Sequence, residues 1–242
     1  MEGALSFTCS DPSLPLDETN LCVKAVEALS EEVGEINGIS VHLEKRIPVG
    51  AGLGGGSSDA AATLKGVNTL FDLKLDEDRL KAIAVSLGAD VPFFLAGGCQ
   101  YAAGIGDELT PVAVPPIGAI LLLFPSTKIS TAWAYGEVKN ALSGGFGTGN
   151  FPAPLEPRNV WDSSGTLFEN DFESLVFRTY PEIGDLKRRL MNARAQFASL
   201  SGSGSTVFGI FEDHAAAERG RRQFPSFQSF IASPVTDSSD LS

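Results

Sequence analysis

Residues 46–64, RIPVGAGLGGGSSDAAATL, place five glycines in the seven positions from Gly50 to Gly56, and the chain on either side has two different periods. Upstream, ISVHLEKRI at 39–47 alternates Ile39, Val41 and Leu43 with polar residues, the period of a half-buried strand. Downstream, Ala60, Leu64, Val67 and Phe71 recur at helical spacing. A glycine turn between a strand and a helix N-terminus can aim successive backbone N–H groups at one anion, and the helix start adds its positive end. Ser57 and Ser58 are expected to cap the helix, with Asp59 in its first turn. Their hydroxyls can also donate to a phosphate or help hold a phosphate-bound Mg²⁺. A solvated linker has no reason to sit between an apolar strand and a capped helix.

Three kinds of phosphate loop have to be separated. A Walker A loop needs GxxxxGK[ST], and no lysine lies between Lys45 and Lys65. Gly50, Gly52 and Gly55 satisfy GxGxxG, but a dinucleotide site also wants an acidic residue ending the next strand. Asp72 and Asp76 stand near the right distance and precede a helix instead. The third kind is reached through the remainder of the chain.

Charge and cysteine usage narrow the partners. With 18 Lys+Arg against 30 Asp+Glu the formal charge is −12, a field that repels nucleic acid and anionic lipid. No nucleic-acid or membrane partner is therefore expected. Cys9, Cys22 and Cys99 are widely spaced, with no CxxC pair and only two histidines, so they read as free thiols in a reducing compartment. The apolar run GAILLLFP at 118–125 is far short of the roughly 20 residues that span a bilayer. The start, MEGALSFTCSDP, lacks the order of a signal peptide.

Further along, DEDRLKAIAVSLG reads as a helix capped by Asp76 and stopped by Gly88, with Leu80, Ile83, Ala84 and Leu87 as its buried stripe. IGAILLLFP is a candidate buried strand and opens a second domain, giving expected domains of 1–112 and 113–242. Residues 143–165 are rich in Gly, Pro and Ser and read as a long surface loop. Two helices are expected around 168–178 and 181–194, then strands FASL and TVFGIF flanking a second glycine loop, SGSGS at 201–205. A basic helix at 213–223, the strand FQSFIAS and a frayed polar tail complete the chain, which has no internal repeat.

IPVGAGLGGGSSDAAATL resembles the ATP-binding motif of the GHMP small-molecule kinases, whose form is Pro, three residues, then Gly-Leu-Gly and serines. With LGADVPFFLAGGCQYAAGIGDEL at 87–109 and SLSGSGSTVFGIF at 199–211, the likeness points to the branch that phosphorylates the 2-hydroxyl of a CDP-bearing sugar alcohol. The resemblance runs from about Leu5 to Phe230. It implies an α+β fold of two domains with the active site in the cleft between them, ATP and Mg²⁺ as cofactors, and an enzyme that is plastidial in plants and algae and cytoplasmic in bacteria. It leaves the oligomeric state open.

Residue by residue, the resemblance places Pro48, Gly50, Gly52, Leu53, Gly54, Gly55, Gly56, Ser57 and Ser58 at the nucleotide, with Ser57 and Ser58 toward the metal. It puts Asp90 on the catalytic aspartate and Gly202, Ser203 and Gly204 on the motif that closes over the nucleotide. A carboxylate suits transfer to an alcohol, since it can orient the hydroxyl and take its proton. The alternative readings are Asp90 as a turn residue after Gly88 and SGSGS as a hairpin connection; beside two glycine loops the functional reading of Asp90 is preferred. Asn170 to Glu173, NDFE, also matches a family segment, although helix capping explains it as well. His42 reads as a strand residue rather than a catalytic one.

The family opens with a strand lysine and a Gly-Tyr-His stretch that binds cytosine, and this chain shows neither. Lys24 lies in a helical run, and the tyrosines are Tyr101, Tyr135 and Tyr180. The expectation is a chain lacking the N-terminal segment of its family. The alternative reading is accordingly a nucleotide-binding module with little catalysis.

Overall fold

The structure, a computed structural model, describes residues 5–112, 118–143 and 170–235. The chain divides into two compact units, the first Met1–Val49 with Gly54–Pro111, the second Gly50–Leu53 with Val112–Ser242.

In the first unit, β1 (Ser6–Cys9) lies parallel to β2 (Ser40–Leu43), joined through α1 (Leu21–Val33). The expected strand at 39–47 is therefore four residues long, and Thr8 and the exposed His42 meet across it at 2.8 Å. Asn20 starts α1 by accepting from the Cys22 amide, and Gly34 ends it at a φ of 95°. Helix α2 (Gly55–Leu70) packs on α1, α3 (Glu77–Leu87) and α4 (Val91–Ala96). Leu29, Ala60, Leu64, Ala84 and Val91 are almost wholly buried between these helices. As the sequence predicts, Asp76 caps α3 through the Arg79 amide and Gly88 ends it; Leu80, Ile83 and Ala84 are buried while Leu87 is half-buried. An antiparallel pair, β3 (Gln100–Ala103) and β4 (Glu108–Pro111), completes the unit.

In the second unit, β5 (Ala119–Phe124), β6 (Phe197–Leu200), β7 (Val207–Phe211) and β8 (Gln228–Ala232) form an antiparallel sheet in the order β6-β7-β5-β8. Ala119, Leu121 and Leu123 alternate inward along β5. They join a core with Ile183, Leu186 and Leu190 of α7 (Pro181–Asn192) and Ala217 of α8 (His214–Arg221). Helices α5 (Thr131–Ser143) and α6 (Glu173–Thr179) add Ala134 and Val176. The predicted basic helix is shorter than 213–223, because Asp213 caps it and its hydrogen-bonded turns end at Arg221. The expected loop at 143–165, apart from Ser143, and the tail beyond Val235 lie outside the described residues, as does the start of the helix expected from 168.

Candidate functional site

The glycine loop is shared between the two units. Gly50, Gly52 and Gly54 all hold positive φ, at 70°, 72° and 64°, which turns the chain sharply without a Cβ clash. Gly54 itself starts α2 from the left-handed region with no side-chain cap. This corrects the expectation that Ser57 and Ser58 cap the helix and that Asp59 lies in its first turn. The helix begins at Gly55, so the serines sit inside it and Asp59 begins the second turn. The first helical bond runs from the Ser58 amide to the Gly54 carbonyl at 2.9 Å. The amides of Gly55, Gly56 and Ser57 precede it and have no carbonyl partner within the helix. These three donors, beside the Ser57 and Ser58 hydroxyls, are what a helix start can offer to an anion.

What surrounds the loop shows which glycines are needed for packing. A Cβ on Gly54 would meet the Phe94 ring of α4 at 2.7 Å, and one on Gly55 would meet Ile47 Cγ2 at 2.9 Å and Lys45 Nζ at 3.1 Å. One on Gly56 would meet only Leu21 Cδ1 at 3.5 Å, and one on Gly50 would meet nothing within 4 Å. Pro48, at the end of the segment from β2, is half-buried, as is Leu53. Lys45 pairs with Asp59, its side chain only 6% exposed and that of Asp59 20%. The sequence reading missed this buried cation beneath the first turn of α2. No signal in the sequence singles it out, since Glu44, Arg46, Ser57 and Ser58 are polar beside it.

Asp90 is exposed and stands immediately before α4, where its side chain makes no capping bond. Phe94 follows one helical turn later and packs against Gly54. Within the first unit, α4 thus ties Asp90 to the loop that starts α2.

Within the second unit, the first half of the loop meets the second glycine loop backbone to backbone. Ser201 Oγ donates to the Gly52 carbonyl at 2.8 Å, and the Thr206 amide donates to the Ala51 carbonyl at 3.2 Å. A Cβ on Gly52 would lie 2.3 Å from the Ser201 carbonyl oxygen and 2.7 Å from that of Gly204. Gly202 and Gly204 hold positive φ, at 53° and 92°, and Ser203 is 6% exposed with its hydroxyl 3.2 Å from that of Thr131. SGSGS is thus more than a hairpin connection, since its glycines receive another loop.

The comparisons with known proteins fall on these same segments. The profile of the GHMP kinases N terminal domain matches residues 20–98, and that of the GHMP kinases C terminal domain matches residues 158–229. This sets the class, a small-molecule kinase of the GHMP fold. A protein of Chlorobium phaeovibrioides named 4-diphosphocytidyl-2-C-methyl-D-erythritol kinase is 46% identical over 88% of this chain and 74% of its own length. Its namesake in Prosthecochloris aestuarii is 43% identical over 90% of this chain and 76% of its own. A crystal structure of 4-(cytidine 5'-diphospho)-2C-methyl-D-erythritol kinase superimposes with a TM-score of 0.72 at 32% identity, covering 96% of this chain and 82% of that one. The chain belongs to the 4-diphosphocytidyl-2-C-methyl-D-erythritol kinase family of the GHMP kinases.

Proposed function

We propose that this chain transfers the γ-phosphoryl group of ATP to the 2-hydroxyl of 4-diphosphocytidyl-2-C-methyl-D-erythritol, the CDP-bearing sugar alcohol of the methylerythritol phosphate route to isoprenoids. The observation that carries the reading is 40–46% identity to relatives of that name along a chain that contains both glycine loops. Residues 1–112 and 113–242 are taken as its two domains.

In this reading the free amides of Gly55, Gly56 and Ser57 receive phosphate oxygens, and the open space at Gly50 admits a ligand beside the backbone. Pro48, Leu53 and Gly54 shape the turn, while Gly52, Gly202, Ser203 and Gly204 form its counterpart. Among the described residues no three His, Cys, Asp or Glu side chains converge as a metal cage. Two hydroxyls on one helical turn, Ser57 and Ser58, fit an ion that takes most of its ligands from phosphate and water. Mg²⁺, when bound, neutralises charge on the phosphate oxygens.

Asp90 acts as the base. Its exposed carboxylate makes no capping bond and can accept the proton of the acceptor hydroxyl. The alcohol oxygen bonds to the γ-phosphorus as the bond to the β,γ-bridging oxygen breaks and ADP leaves. Calorimetry with ATP·Mg²⁺, joined to a turnover assay on the CDP-sugar alcohol, homoserine and mevalonate, tests the proposal. The expected result is ATP binding with turnover of the CDP-sugar alcohol alone. Binding without any turnover makes the chain a nucleotide-binding module, and absence of binding overturns the reading altogether.

A further inference from the structure

We propose that Asn170 and Glu173 are positioning residues that hold the second glycine loop, and through it the Gly50–Leu53 half of the nucleotide loop, in the ligand-ready arrangement; their effect on nucleotide binding rests on the kinase reading above. Among the described residues β6 is an edge strand, and Leu200 is its last residue. An edge strand presents outward amides and carbonyls that no neighbouring strand satisfies, and its end frays unless something else holds it. Here Glu173 Oε1 accepts from the Leu200 amide at 3.0 Å and from Ser199 Oγ at 2.9 Å. Asn170 Nδ2 donates to the Leu200 carbonyl at 2.9 Å and to the Gly202 carbonyl at 2.8 Å. Lys187 of α7 fixes the other Glu173 oxygen, Oε2, at 2.5 Å.

Leu200 is thus held by both its amide and its carbonyl, and Gly202 by its carbonyl. The next links are the Ser201 hydroxyl on the Gly52 carbonyl and the Ser203 hydroxyl against Thr131. A loop of glycines and serines loses much conformational freedom when it is ordered, and ordering it before the ligand arrives removes that loss from the binding step. Asn170 does not cap α6, whose N-cap position is Phe172 with no side-chain cap bond; the turn leading into the helix accounts for only one Asn170 contact, the acceptance by its Oδ1 from the Phe172 amide at 2.9 Å.

That division supplies the test. Asn170→Asp retains the acceptor for the Phe172 amide but removes the donated hydrogen bonds and sets a negative charge against two carbonyls. Asn170→Ala removes everything. Glu173→Ala and Glu173→Gln form a second pair, in which glutamine keeps the acceptor for the Leu200 amide. The readouts are amide hydrogen exchange across 200–206, the Kd for ATP·Mg²⁺ by calorimetry, and the melting temperature.

Loss of two hydrogen bonds at Asn170 should raise both exchange and Kd about tenfold in the Asp and Ala variants, with little change in Tm for Asp. Glu173→Gln should stay within about threefold of the parent chain in both readouts, where Glu173→Ala does not. An Asn170→Asp variant with parental exchange and Kd reduces the residue to a turn former ahead of α6 and overturns the proposal, as does a Glu173→Ala variant indistinguishable from Glu173→Gln. Exchange needs no ligand, so a parent chain that fails to bind ATP sinks the kinase reading while the bracing of the loop is still decided.

Discussion

Ser201 and Gly52, 149 residues apart in sequence, meet so closely that the Ser201 hydroxyl bonds the Gly52 carbonyl while the Ser201 carbonyl fills the place of a Gly52 side chain. Glycine at position 52 is therefore demanded by another segment of protein, whatever ligand the loop also receives.

Replacing Gly52 by alanine forces a methyl group into two backbone carbonyls at a left-handed φ, and stability should fall by about 3 kcal/mol. Gly50→Ala keeps the φ penalty but meets open space, so its loss should be about 1 kcal/mol. Urea unfolding of the two variants beside the parent chain makes the comparison. Equal losses would show that the two loops do not touch as described.

Gly54 and Gly56 should respond in opposite directions. Gly54→Val drives a branched side chain into Phe94 from a φ of 64° and should lower stability and ATP affinity together, by at least about 2 kcal/mol in stability. Gly56→Ala has room beside Leu21 and lies within α2, where alanine should add about 0.5–1 kcal/mol. Thermal melting with an ATP titration reads both, and a destabilised Gly56→Ala would contradict the helix start at Gly55.

Asp90 makes no capping bond and is exposed, so Asp90→Asn should leave stability within about 0.5 kcal/mol. Turnover should drop at least about 10²-fold while the Kd for ATP stays level. A variant with less than about tenfold loss of kcat in an active preparation would remove Asp90 from the role of base.

The Lys45–Asp59 pair is buried on the lysine side, and removing one partner strands the other's charge. Lys45→Met should cost about 3 kcal/mol, and the double variant Lys45→Met, Asp59→Leu should recover most of it. Chemical denaturation of the single and double variants reports the coupling, which vanishes if the pair contributes nothing.

Much of this was legible in the sequence because it is local. Asp76 and Gly88 bound α3 through residues one turn away, and the strands FASL and TVFGIF pair across a short connection. The start of α2 was misplaced because serine and aspartate are common caps, whereas the helix actually begins from a glycine in the left-handed region. Long-range contacts left no periodic trace. Nothing in the spacing of Lys45 and Asp59, or of Asn170 and Leu200, indicates that they meet. NDFE consequently read no differently from a helix cap, and the glycines of the first loop suggested only a ligand where a second loop was also pressing.

The position of Gly50–Leu53 also bears on how such a chain can be divided or synthesised. These four residues group with Val112–Ser242 although they are encoded inside the first unit. A cut after Pro111 would leave the second unit without the strand of backbone that Ser201 and Thr206 grip, and neither half could be expressed as a faithful copy of what it is in the whole. On the ribosome, the loop leaves the exit tunnel about 150 residues ahead of Ser201 and must wait, unbraced, until β6 and the second glycine loop have been made. Stalling or truncation between β4 and β6 therefore leaves the Ala51 and Gly52 carbonyls without the donors that Thr206 and Ser201 supply in the whole chain.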